Sequence, residues 1–448
     1  MASSLGRSDV HRNGFSFLQV ACYIYAMKFN KTILKNGVRL ITIPMPASPT
    51  VTVMVLVEAG SKYETKKLSG VSHFLEHFVF KGTAKRPRPS DLSRELDALG
   101  AQYNAFTGQE YTGYYAKAQK EKTEKILDIV SDMYLNPTLP ASELEKERGV
   151  IIQEINMYED EPMRHVQDLF MELLYGGQPA GWNIAGTKES VSGLTQKDLA
   201  EYRRTHYVGQ ATAVIVSGAF DAKIMEKRVG TLFGKMSDAE RAGKLSVKES
   251  QKTPAVLVKH KETDQTHLVL GVRAFDTFDK RTPILRVLSA VLGAGMSSRL
   301  FTKLRDELGL CYYVNAAPDL YTDHGTFAVS AGVDTTKLTA AIDAILAELR
   351  RLVHEPVPDA ELRKAKDFLI GNLYLGLESS DELAQFVGMQ EILRKPLKDA
   401  RQVVKEIEAV MSGDIQNLAQ NLFLSSGLNL AIVGPFKDKQ KFLDSLTV

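Results

Sequence analysis

Hydrophobic and polar positions along this chain follow two periods, and they change over repeatedly between helix-like and strand-like stretches. Residues 68–82, Leu68-Ser69-Gly70-Val71-Ser72-His73-Phe74-Leu75-Glu76-His77-Phe78-Val79-Phe80-Lys81-Gly82, are apolar on most sides of a helix. With Ser69 available as a cap and Gly82 as a stop, they predict a buried helix. A second helical stretch, residues 141–154, begins after Pro140. Set against residues 359–372 without gaps, an offset of 218, it pairs Glu143-Leu144 with Glu361-Leu362, Lys146 with Lys364 and Ile152 with Ile370. Both stretches follow a proline. The β-rich run 213–218 likewise resembles 430–434, and residues 111–115 with the helix 122–134 have counterparts in 325–329 and the helix 336–352. The repeat predicts an α+β chain of two halves of similar design, residues 27–236 and 254–448, joined by the polar stretch 237–253.

Length and composition agree with a large enzyme and narrow the alternatives. At 448 residues and 44% apolar content the chain can bury two or more cores. Fifty-six basic against fifty-four acidic side chains leave a net charge of +2, without the basic block that nucleic-acid binding would need. No apolar run reaches the length of a membrane span, so neither nucleic acid nor membrane is an expected partner. Two cysteines, Cys22 and Cys311, are too few for a disulfide framework or a structural zinc site. Cys311, flanked by apolar residues, reads as packing.

The chemistry concentrates in the first predicted helix. Residues four apart on a helix stack on one face, so His73 and His77 are placed to ligate one ion, with Glu76 beside them to reach a metal-bound water. The chain has only nine histidines, and by composition an H-x-x-E-H match arises about once in a hundred such chains. A buried helix carrying three ionisable groups needs a task for them, because lone buried charges are expensive and a divalent cation stabilises the carboxylate. Hydrolytic zinc usually takes three protein ligands and one water, and the motif supplies two.

The inverted motif, followed after seventy-six residues by Glu154, resembles the pitrilysin/insulinase family of inverzincin metallopeptidases. The resemblance runs from about Lys28 to the C-terminus, and its opening strand-Asn-Gly-strand, Asn36-Gly37, followed by 51–61, is similar too. It implies that Glu154 is the third ligand and that Glu147, seven positions earlier and on the same face, supports the site by accepting a hydrogen bond from a ligand histidine. It also implies that Arg305 and Tyr312, seven apart in a stretch similar to the family's C-terminal signature, close over bound peptide. There a guanidinium clamps a carbonyl and a phenol donates to the oxyanion. Residues 100–107 resemble the family's alternating edge strand, so Asn104 and Ala105 are expected to touch a substrate that pairs with it.

The fold implied is two homologous α/β-sandwich halves forming a clamshell, of the LuxS/peptidase-like metalloenzyme kind. The function implied is a zinc metalloendopeptidase hydrolysing extended, unfolded peptides, with Glu76 as the base. Under the repeat offset Glu147 falls on Ala365 and Glu154 on Asn372, so one zinc per chain is expected. Members of this length work as homodimers, as heterodimers with a related chain, or alone. Two alternatives are a processing peptidase for targeting presequences and a non-catalytic scaffold subunit, the latter disfavoured by an intact ligand set and base. Residues 1–26 read as a leader or a mis-assigned start ahead of Met27. The expected compartment is the cytoplasm, or the periplasm or an organelle if that leader is a targeting segment.

Overall fold

The computed structural model describes residues 28–448; the readings of residues 1–26 and of Cys22 fall outside the described residues. Each half of the chain builds one sheet. Strands β1 (Asn30–Ile33), β2 (Arg39–Pro44), β3 (Thr50–Val57), β4 (Gln102–Thr107), β5 (Thr112–Gln119) and β6 (Thr212–Gly218) form a six-stranded sheet in the order β1-β2-β6-β3-β5-β4. The second sheet contains β7 (Ala255–His260), β8 (Gln265–Ala274), β9 (Cys311–Leu320), β10 (Gly325–Asp334) and β11 (Asn429–Gly434), in the order β7-β11-β8-β10-β9. In each sheet one pair is parallel, β2 with β6 and β7 with β11, and the remaining pairs are antiparallel. The two orders superpose once β1 is set aside, so the repeat seen in the residue pattern is a repeat of topology. The turn between β1 and β2 carries Asn36-Gly37, with Gly37 at φ 88°, where a side chain is disfavoured.

The strand β3 shows why its sequence is apolar throughout. Side chains alternate across a strand, and both faces of this one are covered. Val51, Val53, Val55 and Val57 pack into a core with Ile126, Leu127 and Val130 of the helix Thr123–Leu135. The even-numbered Met54 and Leu56 face the other way, where Leu383, Ala384 and Val387 of the helix Ser380–Ile392 cover them. That helix belongs to the second half of the sequence. The exchange is reciprocal, for the helix Pro162–Tyr175 of the first half packs Val166, Phe170 and Leu174 against Val269, Ala431 and Val433 of the second sheet. These two helices begin 218 residues apart, at Pro162 and Ser380, so they occupy the same place in the repeat.

Ion clusters seal the same seam. The ammonium of Lys62 is buried and bonded to Glu110 of the first half and to Asp323 of the second, while Glu110 also accepts from the Thr322 hydroxyl at 2.8 Å. Glu58 is gripped by Arg39 at 2.8 Å and by Arg394 at 2.5 Å. Residues 237–253, read as a linker, form neither helix nor strand, but they are tied into both clusters through Arg241 to Glu58 and Lys244 to Glu110. No helix among the described residues is long and apolar enough to cross a membrane.

Candidate metal centre

The expected helix over residues 68–82 is shorter than its apolar pattern. It spans Val71–Phe78 and tightens into a single 3₁₀ turn, Val79–Lys81, before Gly82 at φ 129° ends it as anticipated. Ser69 does not cap it. The N-cap is Gly70, and the carboxylate of Glu64, six residues upstream, accepts from the backbone N–H of Gly70 at 2.7 Å and of Ser72 at 2.9 Å. The glutamate helix, Ala141–Asp160, lies beside this motif helix. Arg148 pins the pair from outside, stacked 5.9 Å from the Phe74 ring and donating to the carbonyls of Val191 and Leu194.

Between these helices His73, His77 and Glu154 converge. Among the described residues they are the one group of three or more His, Cys, Asp or Glu whose donor atoms all lie within 4.8 Å of one another. Nε2 of His73 stands 3.6 Å and Nε2 of His77 3.4 Å from the same Glu154 oxygen. Those separations are long for hydrogen bonds. They suit ligand atoms about 3.3 Å apart, the edge of a tetrahedron built on metal bonds of about 2.0–2.1 Å. Two imidazole nitrogens and a carboxylate oxygen are also the donor set of a hydrolytic zinc, so the residues fit the ion.

The surroundings differentiate the groups. Burial, reinforced by the neighbouring His77, pushes His73 down to about 4, which keeps it neutral and able to ligate. Burial alone would depress His77 as well, but Glu154, Glu76 and Glu147 outweigh it and hold its pKa above the usual value. Glu154 is pulled down to about 2, chiefly by the His77 imidazole beside it and against the effect of burial, with the Tyr158 hydroxyl donating to it at 2.6 Å. Glu76 is raised by burial, a shift moderated by the Thr107 hydroxyl that donates to it at 2.5 Å. Glu147 is buried, with one oxygen 3.4 Å from Nδ1 of His77 and the other 2.7 Å from the ammonium of Lys81. Three partners were absent from the sequence reading. Lys81 and Tyr158 stand four positions beyond His77 and Glu154, a spacing that could have disclosed them. Thr107 arrives from strand β4, and no local pattern announces it.

The other expected residues lie on β4 and in the second half. Asn104 is exposed and Ala105 buried on β4, which ends the first sheet and passes beside the motif helix. The Ala105 N–H is occupied by the Asn104 side-chain oxygen at 2.9 Å. Arg305 sits in a π-helical turn, Phe301–Glu307, and stacks 4.8 Å from the Phe301 ring and 5.6 Å from that of Tyr312, which is 72% exposed on β9. Among the described residues no hydrogen bond or ion pair joins Arg305 or Tyr312 to the histidine cluster. In the second half, Asn372 donates its amide back to the Phe368 carbonyl of its own helix and Ala365 is buried, so the equivalent position offers no ligands. Cys311 is buried, and burial lifts its thiol to about 11, as suits packing.

Comparison with known proteins extends these observations over the chain. A family model described as insulinase (peptidase family M16) matches residues 39–188, and one described as the peptidase M16 inactive domain matches residues 193–369. The chain is 33% identical over 401 residues to the "uncharacterized zinc protease YmxG" of Bacillus subtilis, spanning 90% of this chain and 97% of that one. It is 32% identical over 419 residues to an "uncharacterized zinc protease" of Streptomyces coelicolor, spanning 92% and 90%. A solved protease from Helicobacter pylori shares the fold with a TM-score of 0.86 and 23% identity, covering 92% of this chain and all of that one. A Pseudomonas fluorescens structure described as a peptidase M16 inactive domain superposes with a TM-score of 0.84 at 15% identity, covering 92% of this chain and 99% of that one.

Proposed function

The chain belongs to the insulinase family of peptidases, M16, and we propose that it is a zinc-dependent endopeptidase that cleaves extended, unfolded peptides, with its chemistry confined to the first half. The observation that carries this reading is the convergence of His73, His77 and Glu154 within 4.8 Å, with Glu76 on the same helix. Zinc held by those three side chains would supply a Lewis acid that acidifies water and polarises the scissile carbonyl. Glu76, half-buried and raised in pKa, takes the proton of the attacking water and returns it to the leaving amine. Thr107 aims Glu76 by donating to it, and Glu147 orients the His77 ring from the side away from the ligand position.

Substrate backbone adds to the free edge of β4, displacing the Asn104 side chain from the Ala105 N–H. Such pairing needs an extended chain and reads little sequence, which favours unfolded peptides over folded proteins. Arg305 and Tyr312 serve the reaction from the second half, the guanidinium on a peptide carbonyl and the phenol on the developing oxyanion. The exposure of Tyr312 and the aromatic stacking that holds Arg305 support that role. Turnover of an unstructured fluorogenic peptide, measured before and after chelation and after zinc is restored, tests the proposal. Loss on chelation with recovery on zinc is the expected result. Turnover that persists in metal-free protein, or none in zinc-loaded protein, would overturn it.

A further inference from the structure

Glu64 is a buried carboxylate that this mechanism does not use. It is 4% exposed, and among the described residues it has no ion pair with lysine or arginine; its partners are the N–H groups of Gly70 and Ser72 at 2.7 and 2.9 Å. Burying an unpaired carboxylate is costly, and here burial lifts it to about 7 against the opposing pull of those two N–H groups and of the Ser72 hydroxyl. A neutral cap would satisfy the helix end at lower cost. What the carboxylate adds is direction, because its two oxygens bond two separate N–H groups of the turn that leads into His73, at the end of the helix where a negative charge is favoured.

Two further contacts hold the same turn. The Ser72 hydroxyl meets the Tyr202 hydroxyl at 2.9 Å, and the Tyr202 ring lies 4.1 Å from that of His206, tilted by 30°. Gly70, at φ 92°, lies so close to the 185–186 backbone that a Cβ there would stand 2.6 Å from the Ala185 carbonyl oxygen. The entry to the motif helix is thus fixed at its N–H groups, at a side chain and at its backbone, and Glu64 is the one charged member.

We propose that Glu64 is a positioning residue for the metal site: by bonding the N–H groups of Gly70 and Ser72 it sets the orientation of the turn bearing His73, and through it the convergence of His73 on Glu154. The inference rests on the metal-site reading above. It acts through the helix and touches neither zinc nor substrate. In Glu64→Gln the amide keeps the shape but turns its NH₂ group toward one of the two N–H donors, so the turn relaxes and zinc is held less well.

The test is zinc affinity of the full-length chain, measured by competition with a chromophoric chelator at fixed pH, with far-UV circular dichroism to establish that each variant is folded. The unaltered chain is expected to bind one zinc, and folded Glu64→Gln to bind it about 10–100-fold more weakly, the loss associated with groups that orient metal ligands. A folded Glu64→Gln that binds zinc within about twofold of the unaltered chain would overturn the inference and leave the metal-site reading standing. If Glu64→Gln does not fold, Tyr202→Phe decides, since it leaves Glu64 in place and removes the hydroxyl that meets Ser72 at 2.9 Å and the Gly60 carbonyl at 3.4 Å. Affinity weakened several-fold supports the inference, and unchanged affinity overturns it. An unaltered chain that binds no zinc would overturn the metal-site reading, and this inference with it.

Discussion

Three carboxylates act on His77, and their surroundings set them different tasks. Glu154, pulled down to about 2, stays anionic, as the proposed metal ligand must. Glu76, raised by burial, is the better proton acceptor. Glu147 is held between the His77 ring and the Lys81 ammonium. Replacing Glu76 by Gln should therefore lower kcat by about 10²–10⁴-fold while zinc content stays near that of the unaltered chain, read by peptide turnover beside metal analysis. Glu154→Gln should lose zinc and turnover together; a variant that keeps its zinc would remove Glu154 from the ligand set. Tyr312→Phe should lower kcat/KM about ten- to a thousandfold with metal content untouched, because the proposed role of its hydroxyl is to donate to the oxyanion and not to hold metal. At this scale the i, i+4 spacing of His73 and His77 was legible, since a helix stacks such residues whatever surrounds it. Thr107 was not, because a contact between a strand and a helix has no sequence period.

The motif helix is recognisable as an element from its residue pattern, but its ends differ from that pattern. Apolar residues continue to Phe80, although regular α-helix stops at Phe78, because the last turn tightens before Gly82. At the other end the local candidate cap, Ser69, loses to a distant carboxylate. A pH consequence follows. Glu64 titrates near 7 when folded, above the ordinary carboxylate value, so the folded state binds the extra proton between those two values. Stability conferred in that way is present in acid and declines as pH rises through the folded pKa. The metal-free chain should accordingly lose stability relative to Glu64→Gln between about pH 5 and about pH 8, followed by thermal unfolding of both proteins; a constant difference across that window would contradict the assignment. The turn carrying Arg305 was also beyond local reading, because the side-chain pattern of residues 301–307 does not distinguish a π-helical turn from an α-helical one.

At the scale of the whole molecule the two halves share their cores. Ile41, Ile43, Met54, Leu56 and Ile215 of the first half are covered by Leu383, Ala384, Val387 and Ile392 of the second, so the residue 27–236 fragment, cut at the boundary that the repeat implies, leaves that face bare. Such a fragment should aggregate or bind a hydrophobic dye and cleave no peptide, whereas co-expression with residues 237–448 should recover soluble, zinc-binding protein. A monodisperse fragment as active as the full chain would refute the shared-core account. Period and spacing in the sequence were enough to establish the α+β class, the repeat at 218, the histidine pair and the absence of equivalent ligands at Ala365 and Asn372, because these are properties of one element or of two segments compared directly. Tertiary structure alone decided that the helices Pro162–Tyr175 and Ser380–Ile392 cross between sheets, that Glu64 caps the motif helix, and that Thr107 meets Glu76. An apolar helix face states that it will be buried but not by which partner, and a lone polar residue carries no record of the distant group that will satisfy it; only the folded chain pairs them.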